Sequence, residues 1–201
     1  MPSIYDLKPR FQRLLRPLVE RLAAAGVTPN QVTVAAILLS IATGAAIAAW
    51  PAARWPLLLL PLVLLVRMAL NAIDGLLARE HALRSRLGAI LNELGDVVSD
   101  AALYLPLALV PGVGAAAVVM VVVLSVVSEM AGVVAVQVGA TRRYDGPMGK
   151  SDRAFWLGAL ALAVGIGIDP AGWAEAALWA IAALLVVTTV NRSRRALKEA
   201  R

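Results

Sequence analysis

Oxygen-bearing side chains recur at helical spacing in two apolar segments of the chain. In the first, Asn71 and Asp74 are three residues apart and therefore share one face of a helix. In the second, a stripe at steps of four contains Gly88, Asn92, Asp96 and Asp100. Carboxylate and amide oxygens are the ligands that hard cations such as Mg²⁺, Mn²⁺ or Ca²⁺ prefer. If the two faces pack together, they predict a site for a divalent cation.

The spacing along each helix places the two faces at similar depth. Asp74 precedes Arg79 by five positions, about 8 Å of helix, and Asn92 follows Gly88 by four positions, about 6 Å. Gly75 and Gly88 carry no side chain, so a ligand can approach the backbone there. The pocket is therefore expected near the ends at which the two helices meet.

The composition indicates the medium that these helices cross. The chain has 201 residues, of which 60% are hydrophobic and 16% charged, and its mean hydropathy is +0.78. Soluble domains have fewer apolar and more charged residues, so a disordered tail, a fibrous repeat and an ordinary cytosolic enzyme are excluded. The chain lacks cysteine and has one histidine, His81, which excludes disulfides, thiolate metal sites and a multi-histidine site within one chain.

The apolar segments predict an all-α integral membrane protein with six transmembrane helices preceded by an amphipathic interfacial helix. The predicted spans cover residues 30–50, 55–79, 86–110, 113–138, 153–168 and 171–191. The predicted regions are an amphipathic juxtamembrane helix (1–27), a transmembrane domain (28–191) and a basic cytoplasmic tail (192–201). Over residues 4–24, apolar residues recur at helical spacing between basic ones, which favours an interfacial helix over a solvated arm.

Basic residues are distributed unevenly between the two sides of the predicted membrane domain. Of the 19 Lys and Arg residues, 17 lie before the first span, in the 2–3 and 4–5 loops or after the sixth span. The opposite loops hold only Arg54, and Arg67 lies within a span. The positive-inside rule then places both termini and the 2–3 and 4–5 loops, and with them the pocket, on the cytoplasmic side of the membrane. The net charge of +6 is therefore interpreted as an orientation signal, with anionic membrane lipids and not nucleic acid as partners.

The polar residues of the two helices form one continuous pattern over 26 residues, Asn71-x2-Asp74-Gly75-x2-Ala78-Arg79-x8-Gly88-x3-Asn92-x3-Asp96. This pattern resembles the signature of the CDP-alcohol phosphotransferases, D-x2-D-G-x2-A-R-x8-G-x3-D-x3-D. The spacing matches throughout, and the six predicted spans and the amphipathic N-terminal helix are also similar to that family. The chain looks most like a bacterial subgroup that has asparagine at the first and third aspartate positions.

The resemblance implies an enzyme of phospholipid biosynthesis. Members transfer a phosphatidyl or other substituted phosphate group from a CDP-alcohol, such as CDP-diacylglycerol, to an acceptor alcohol with release of CMP. By this resemblance the region 28–191 is the catalytic domain, the acceptor is a small or phosphorylated alcohol, and the cofactor is Mg²⁺ or Mn²⁺, as one or two ions. A homodimer is also implied.

The resemblance further assigns roles to individual residues. Asp96 is expected to be the catalytic base that acts on the acceptor hydroxyl. The expected metal ligands are Asn71, Asp74, Asn92 and Asp96, with Glu93 supplying part of the missing charge. The expected CDP-binding residues are Gly75, Ala78, Arg79 and Gly88, together with Asn30 and Thr33 at the start of the first span. Two alternatives stay open: Arg79 as a snorkelling charge and Asn30 as a helix cap.

The two asparagines leave three hypotheses for the metal site, because asparagine offers a carbonyl oxygen but no charge. The site holds two ions with asparagine and Glu93 ligands, or one ion tightly and another only with substrate phosphates, or it is degenerate. A degenerate member would serve as a lipid-binding or scaffold protein. A small transporter is a further alternative, disfavoured because the charges gather near one membrane face and no inverted repeat is visible.

Basic residues of the 4–5 loop complete the candidates near the pocket. The resemblance suggests that Arg142, Lys150 and Arg153 contact the acceptor or its phosphate, for which basic side chains are suited. The alternative is that these residues only set the topology.

Three charges lie deeper in the predicted spans, where an isolated charge is costly. Arg67 is therefore expected to pair with Asp100 or Glu129 as a structural ion pair. The alternative is that this layer forms the floor of an acceptor cavity.

Overall fold

Seven α-helices and two 3₁₀ helices make up a computed structural model that describes residues 8–200 and, from residue 11 onward, their side chains. The α-helices are α1 (Lys8–Ala24), α2 (Pro29–Ala49), α3 (Arg54–Glu80), α4 (Arg86–Tyr104), α5 (Ala115–Val134), α6 (Lys150–Gly165) and α7 (Trp173–Glu199). The 3₁₀ helices Leu105–Leu109 and Ala135–Val138 directly follow α4 and α5. Residues 1–7 of the predicted juxtamembrane helix lie outside the described residues.

Four helices of the described chain are long and apolar enough to cross a membrane: α2, α3, α5 with its following 3₁₀ helix, and α7. Together with the absence of β-strands from residues 8–200, this confirms an all-α integral membrane protein. The count of six spans stays a prediction. The sequence of α4 contains several charged residues, and α6 has only 16 residues, fewer than a typical transmembrane helix needs.

Local chemistry explains where two helices end or begin differently from the prediction. The third predicted span changes from α-helix to 3₁₀ helix beside Pro106, which lacks the N–H that would continue the α-helical hydrogen bonds. α6 starts three residues early because the carboxylate of Asp152 accepts a hydrogen bond from the backbone N–H of Gly149 at 3.0 Å. This early start places Lys150 in the first turn of a helix instead of a loop.

The predicted basic tail is largely helical. α7 extends to Glu199, so residues 192–199 continue the last membrane helix. Within this extension, Arg192 and Ala196 are buried and continue a stripe at steps of four from the buried Thr188. One face of the extension therefore packs against the protein.

Glycines allow α2 and α4 to pack closely. A Cβ atom at Gly44 of α2 would overlap the carbonyl oxygen of Ala102 in α4. A Cβ at Gly95 of α4 would lie 2.8 Å from the side chain of Ile37 and 3.4 Å from that of Thr33. Such small residues let helix backbones approach in a membrane. The contact brings the start of α2 beside the polar face of α4.

Two apolar clusters hold the helices around the polar face. The larger contains side chains from each of the helices α2 through α7, among them the fully buried Leu60, Leu103 and Leu178. The smaller packs Val19 of α1 against α2 and α3 through Leu77 and its neighbours. α1 is also tied to α3 by an ion pair of 3.0 Å between Arg16 and Glu80. The described part of the amphipathic segment is thus a helix docked beside the end of α3.

Candidate active site

The first turns of α2 hold the carboxylate of Asp74 in place. Thr28 caps α2, accepting a hydrogen bond from the backbone of Gln31, and so sets the helical phase of the residues that follow. In that phase Thr33 faces α3, and its hydroxyl donates to Oδ2 of Asp74 at 2.8 Å. Asp74 is 5% exposed. Thr33, a candidate CDP-binding residue, thus directly contacts Asp74, the first carboxylate of the motif in this chain.

Asp96 is surrounded by cationic and amide groups. Lys150, in the first turn of α6, donates from Nζ to Oδ1 of Asp96. Asn71 donates from Nδ2 to the same oxygen at 3.1 Å, and Arg67 lies 3.9 Å from it. The side chains of Lys150 and Asp96 are 25% and 26% exposed. This ion pair is therefore accessible from outside the protein, unlike the charges beneath it.

A buried ion-pair network lies below Asp96. Arg67 donates to Oδ1 of Asp100 at 2.5 Å, which is one of the two pairings expected from the sequence. Arg153 donates to Oδ2 of Asp100 at 2.7 Å and to Oε1 of Glu129 at 3.1 Å. Arg153 is 1% exposed, so the structure places it under the pocket, away from the accessible position suggested for an acceptor contact.

Arg142 of the 4–5 loop engages Glu93 with both ends of its guanidinium fork. Nε donates to Oε1 at 2.5 Å and Nη2 to Oε2 at 2.6 Å, and Nη2 also lies 3.1 Å from Glu129. Partial burial alone would lower the pKa of Arg142, but the hydrogen bonds to Glu93 outweigh it and raise that pKa. Both oxygens of Glu93 are thus committed to Arg142 in this arrangement, and not to a shared ligand position with Asp96.

Arg192, expected only as part of the basic tail, belongs to the buried ion-pair network around Glu129. Its Nη1 donates to the backbone carbonyl of Ser128 at 2.5 Å and lies 3.4 Å from Glu129. Its Nε donates to the backbone carbonyl of Asp145 at 3.2 Å. The stripe that it forms with Thr188 was the signal that could have identified it as an inward-facing residue.

The expected nucleotide-binding positions fall into two neighbouring groups. At the start of α4, a Cβ on Gly88 would lie 2.8 Å from Oδ1 of Asn30, so the side chain of Asn30 covers this glycine. Near the end of α3, a Cβ on Gly75 would lie 3.1 Å from Nη1 of Arg79. Ala78 and Asn92 are both half-buried. The space beside each glycine is therefore bordered by a polar side chain, Asn30 at Gly88 and Arg79 at Gly75.

The donor set can be compared with the needs of a divalent cation. Among the described residues, no three acidic or histidine side chains converge as a metal-binding group. The carboxylates of Asp74 and Asp96 are close enough to repel each other, and Asn71 and Asn92 add amide oxygens. Two carboxylates with two amides suit one hard cation. They do not fit the four-carboxylate pattern that would hold two.

Residues 26–190 match the sequence pattern of the family described as CDP-alcohol phosphatidyltransferase, which is more than half of the chain. The chain belongs to this family. The predicted resemblance is confirmed at the level of the family.

Two relatives by sequence differ in how much of the chain they match. The chain is 46% identical over 198 residues to "Inner membrane protein YnbA" of Escherichia coli (strain K12), covering 97% of this chain and 96% of that protein. It is 29% identical over 103 residues to an archaetidylinositol phosphate synthase of Pyrococcus horikoshii, covering 51% of this chain and 52% of that protein.

Solved structures of Mycobacterium tuberculosis phosphatidylinositol phosphate synthase share the fold of this CDP-alcohol phosphatidyltransferase. The structure with CDP-DAG bound has a TM-score of 0.75 at 23% identity and covers 94% of each chain. The structure in complex with manganese and citrate has a TM-score of 0.75 at 23% identity, covering 90% of this chain and 88% of the other. At these identities the likeness concerns the fold alone.

Proposed function

We propose that this chain is a membrane phosphotransferase of phospholipid biosynthesis that transfers a substituted phosphate group from a CDP-alcohol to an acceptor alcohol and releases CMP. The observation that carries the proposal is the proximity of Asp74 on α3 and Asp96 on α4, which are close enough to repel each other. Asp74 accepts a hydrogen bond from Thr33, and Asp96 is partly exposed beside Lys150. Membership of the CDP-alcohol phosphatidyltransferase family supplies the reaction class.

The donor is proposed to be a CDP-linked lipid such as CDP-diacylglycerol, in keeping with the structural relative that has CDP-DAG bound. Gly75, Ala78, Arg79 and Gly88, with Asn30, would border the nucleotide. The acceptor is proposed to be a small or phosphorylated alcohol. Lys150 is the cation best placed to contact it, because it is accessible and adjoins Asp96.

The chemistry follows from the position of Asp96. The acceptor oxygen forms a bond to the lipid-side phosphorus while the bond from that phosphorus to the CMP oxygen breaks, and CMP leaves with the electron pair. Asp96 accepts the proton of the attacking hydroxyl, as a general base within reach of an accessible pocket. Mg²⁺ or Mn²⁺ held by Asp74, Asp96, Asn71 and Asn92 would supply positive charge to the diphosphate.

The environment is proposed to be the inner membrane of a bacterium, because the chain is similar over nearly its whole length to a protein named for that membrane. The charge asymmetry supports a site and both termini on the cytoplasmic side.

A homodimer is proposed on the family resemblance. Membrane lipids are the expected neighbours of the many exposed apolar side chains.

A catalytically degenerate, lipid-binding role is the second candidate. It is favoured by one observation, that Asn71 and Asn92 stand at two aspartate positions of the family signature. In this case the pocket would still accept the CDP-lipid but would lack the charge needed for turnover. A transporter role has no comparable support in the described residues.

The deciding experiment measures CMP. Purified protein is incubated with CDP-diacylglycerol, Mg²⁺ or Mn²⁺ and a panel of free and phosphorylated alcohols. Wild type is expected to release CMP with at least one acceptor, and Asp96→Asn is expected to lower the rate by about 10²-fold or more. Glu20→Gln, an exposed acid on α1, is the matched control and should behave as wild type. Binding of CDP-diacylglycerol without CMP release from any acceptor would instead support the degenerate role.

A further inference from the structure

The charges gathered at the site cancel one another. We define the site charge network as the ten buried or partly buried charged side chains of the site, which leaves out the exposed Arg79. They are the carboxylates Asp74, Glu93, Asp96, Asp100 and Glu129, and the cations Arg67, Arg142, Lys150, Arg153 and Arg192. Each cation lies within 3.9 Å of at least one carboxylate of the network. Five negative and five positive charges sum to zero. A divalent cation entering alone would leave the network with two uncompensated positive charges.

Lys150 also occupies the oxygen that a cation would need. Its ammonium group donates to Oδ1 of Asp96, and Asn71 donates to the same atom. A metal ion that binds this oxygen must displace the ammonium group, and a metal ion that binds the other oxygen of Asp96 would lie beside that positive charge. The four-aspartate signature of the family carries two more negative charges on these two helix faces, so the positive charge of Lys150 opposes a metal ion more strongly in a chain with Asn71 and Asn92.

A CDP-alcohol changes this balance because its diphosphate carries two negative charges. Those charges offset the two of a divalent cation, so the pair enters the network without net charge. The diphosphate also gives Lys150 a new partner, since its flexible stem can carry the ammonium from Asp96 to a phosphate oxygen. Metal and diphosphate should then each favour the binding of the other, as linkage requires.

We propose that this site binds one divalent cation only together with the diphosphate of its donor, with Lys150 holding the metal position at Asp96 when the donor is absent. The inference rests on the proposed function in one respect: that the donor is a CDP-alcohol. It distinguishes this chain from a site in which two ions reside permanently. It also gives Lys150 a role beyond contact with the acceptor.

The test is a binding experiment without turnover. Mn²⁺ is titrated into the purified full chain in detergent, and free Mn²⁺ is measured by electron paramagnetic resonance in the absence and presence of saturating CDP. The same titration without protein gives the Mn²⁺ that CDP binds in solution, and this amount is subtracted. Wild type is expected to bind Mn²⁺ weakly alone and at least about tenfold more tightly with CDP, with one ion per chain. CDP affinity measured with and without Mn²⁺ should change by the same factor.

Variants of Lys150 test whether its positive charge, and not the shape of its side chain, weakens Mn²⁺ binding. Lys150→Met is expected to bind Mn²⁺ without CDP about tenfold more tightly than wild type, while Lys150→Arg should stay close to wild type. Asn71→Asp adds a carboxylate without removing any contact of Lys150 and should also tighten Mn²⁺ binding in the absence of CDP. The control Lys198→Met removes an exposed cation from the end of α7 and should change nothing.

Two results would overturn the proposal: two Mn²⁺ ions per chain, or wild-type affinity for Mn²⁺ that CDP and Lys150→Met both leave unchanged. Failure of the proposed function is a separate outcome. Coupled binding of Mn²⁺ and CDP without CMP release would remove the catalytic function and keep this inference. CMP release with uncoupled Mn²⁺ binding would do the reverse.

Discussion

Glu199 accepts hydrogen bonds from both the backbone N–H and the hydroxyl of Thr141, at 2.9 and 3.2 Å, across 58 positions of sequence. The same carboxylate pairs with Arg143. The last turn of α7 is thereby joined to the loop that carries Arg142 into the site charge network. These contacts connect the exposed end of α7 with the loop that carries Arg142, a residue of the candidate active site.

Glu199→Ala should therefore loosen the loop 139–149. We expect faster amide hydrogen exchange in that loop with little change in α2 and α3, because the lost hydrogen bonds are local. Lys198→Ala, at the neighbouring exposed position, is the matched control and should exchange as wild type does. Equal protection of the loop in Glu199→Ala and wild type would show that Glu199 does not hold it.

The loop should also depend on pH through Asp145. Partial burial alone would raise the pKa of Asp145, but hydrogen bonds from Arg143 and Arg195 outweigh it and lower that pKa below its ordinary value. A lowered carboxyl pKa contributes stability that is present above the unfolded value, about 3.9, and is lost as pH falls through the folded value. Pepsin cleavage in the loop should therefore increase below about pH 4. Asp145→Asn should show that cleavage already at pH 5, and a wild-type profile in this variant would contradict the prediction.

Asp100 is expected to be a major contributor to stability. It is 5% exposed and accepts hydrogen bonds from both Arg67 and Arg153, so Asp100→Asn leaves two buried cations without their common partner. Removing one partner of a buried ion pair typically costs about 3–5 kcal/mol. Thermal unfolding in detergent should show a much lower midpoint than wild type. Glu20→Gln, a similar change on the exposed face of α1, should leave the midpoint in place.

Thr33 is predicted to act through Asp74. Thr33→Val keeps the shape of the side chain but removes the hydroxyl that donates to Asp74 at 2.8 Å. Loss of such a supporting hydrogen bond to a metal-binding side chain typically weakens metal binding by about 10–100-fold. We expect that loss in the Mn²⁺ titration with CDP present, and recovery in Thr33→Ser. Normal Mn²⁺ binding in Thr33→Val would assign Thr33 to the nucleotide alone.

The sequence was sufficient for the helices and for the motif, because both depend on local spacing. The stripe from Gly88 to Asp100 lies on one helix, and α3 and α4 follow each other in the chain. The two helices do not pack closely, because α2 contacts both of them. Their polar faces meet through long side chains, with Arg67 donating to Asp100 and Asn71 to Asp96. The sequence also left Asn30 open as the cap of the first span, but the cap of α2 is Thr28, and Asn30 lies within the first turn of the helix.

The partners of the charges were harder to predict, because they depend on which faces of distant helices pack together. Lys150 and Asp96 are 54 positions apart, and Arg142 and Glu93 are 49 apart. Spacing along each helix indicates that these residues face inward but does not indicate which opposite charge each will meet. The early start of α6, set by the contact of Gly149 with Asp152, moved Lys150 onto a helix and into reach of Asp96.

The order of the buried charges along the chain has a consequence for biogenesis. Arg67 and Asp100 lie on consecutive helices, so they can neutralise each other as soon as α3 and α4 are in the membrane. Glu129 differs, since its partners Arg142, Arg153 and Arg192 are all synthesised after it. During translation α5 must therefore enter the membrane with an uncompensated acid, which is costly until Arg142 and then Arg153 of α6 arrive. Ribosome-bound chains that end before Arg142 should retain α5 at the insertion machinery, and chains that include Arg142 and Arg153 should release it.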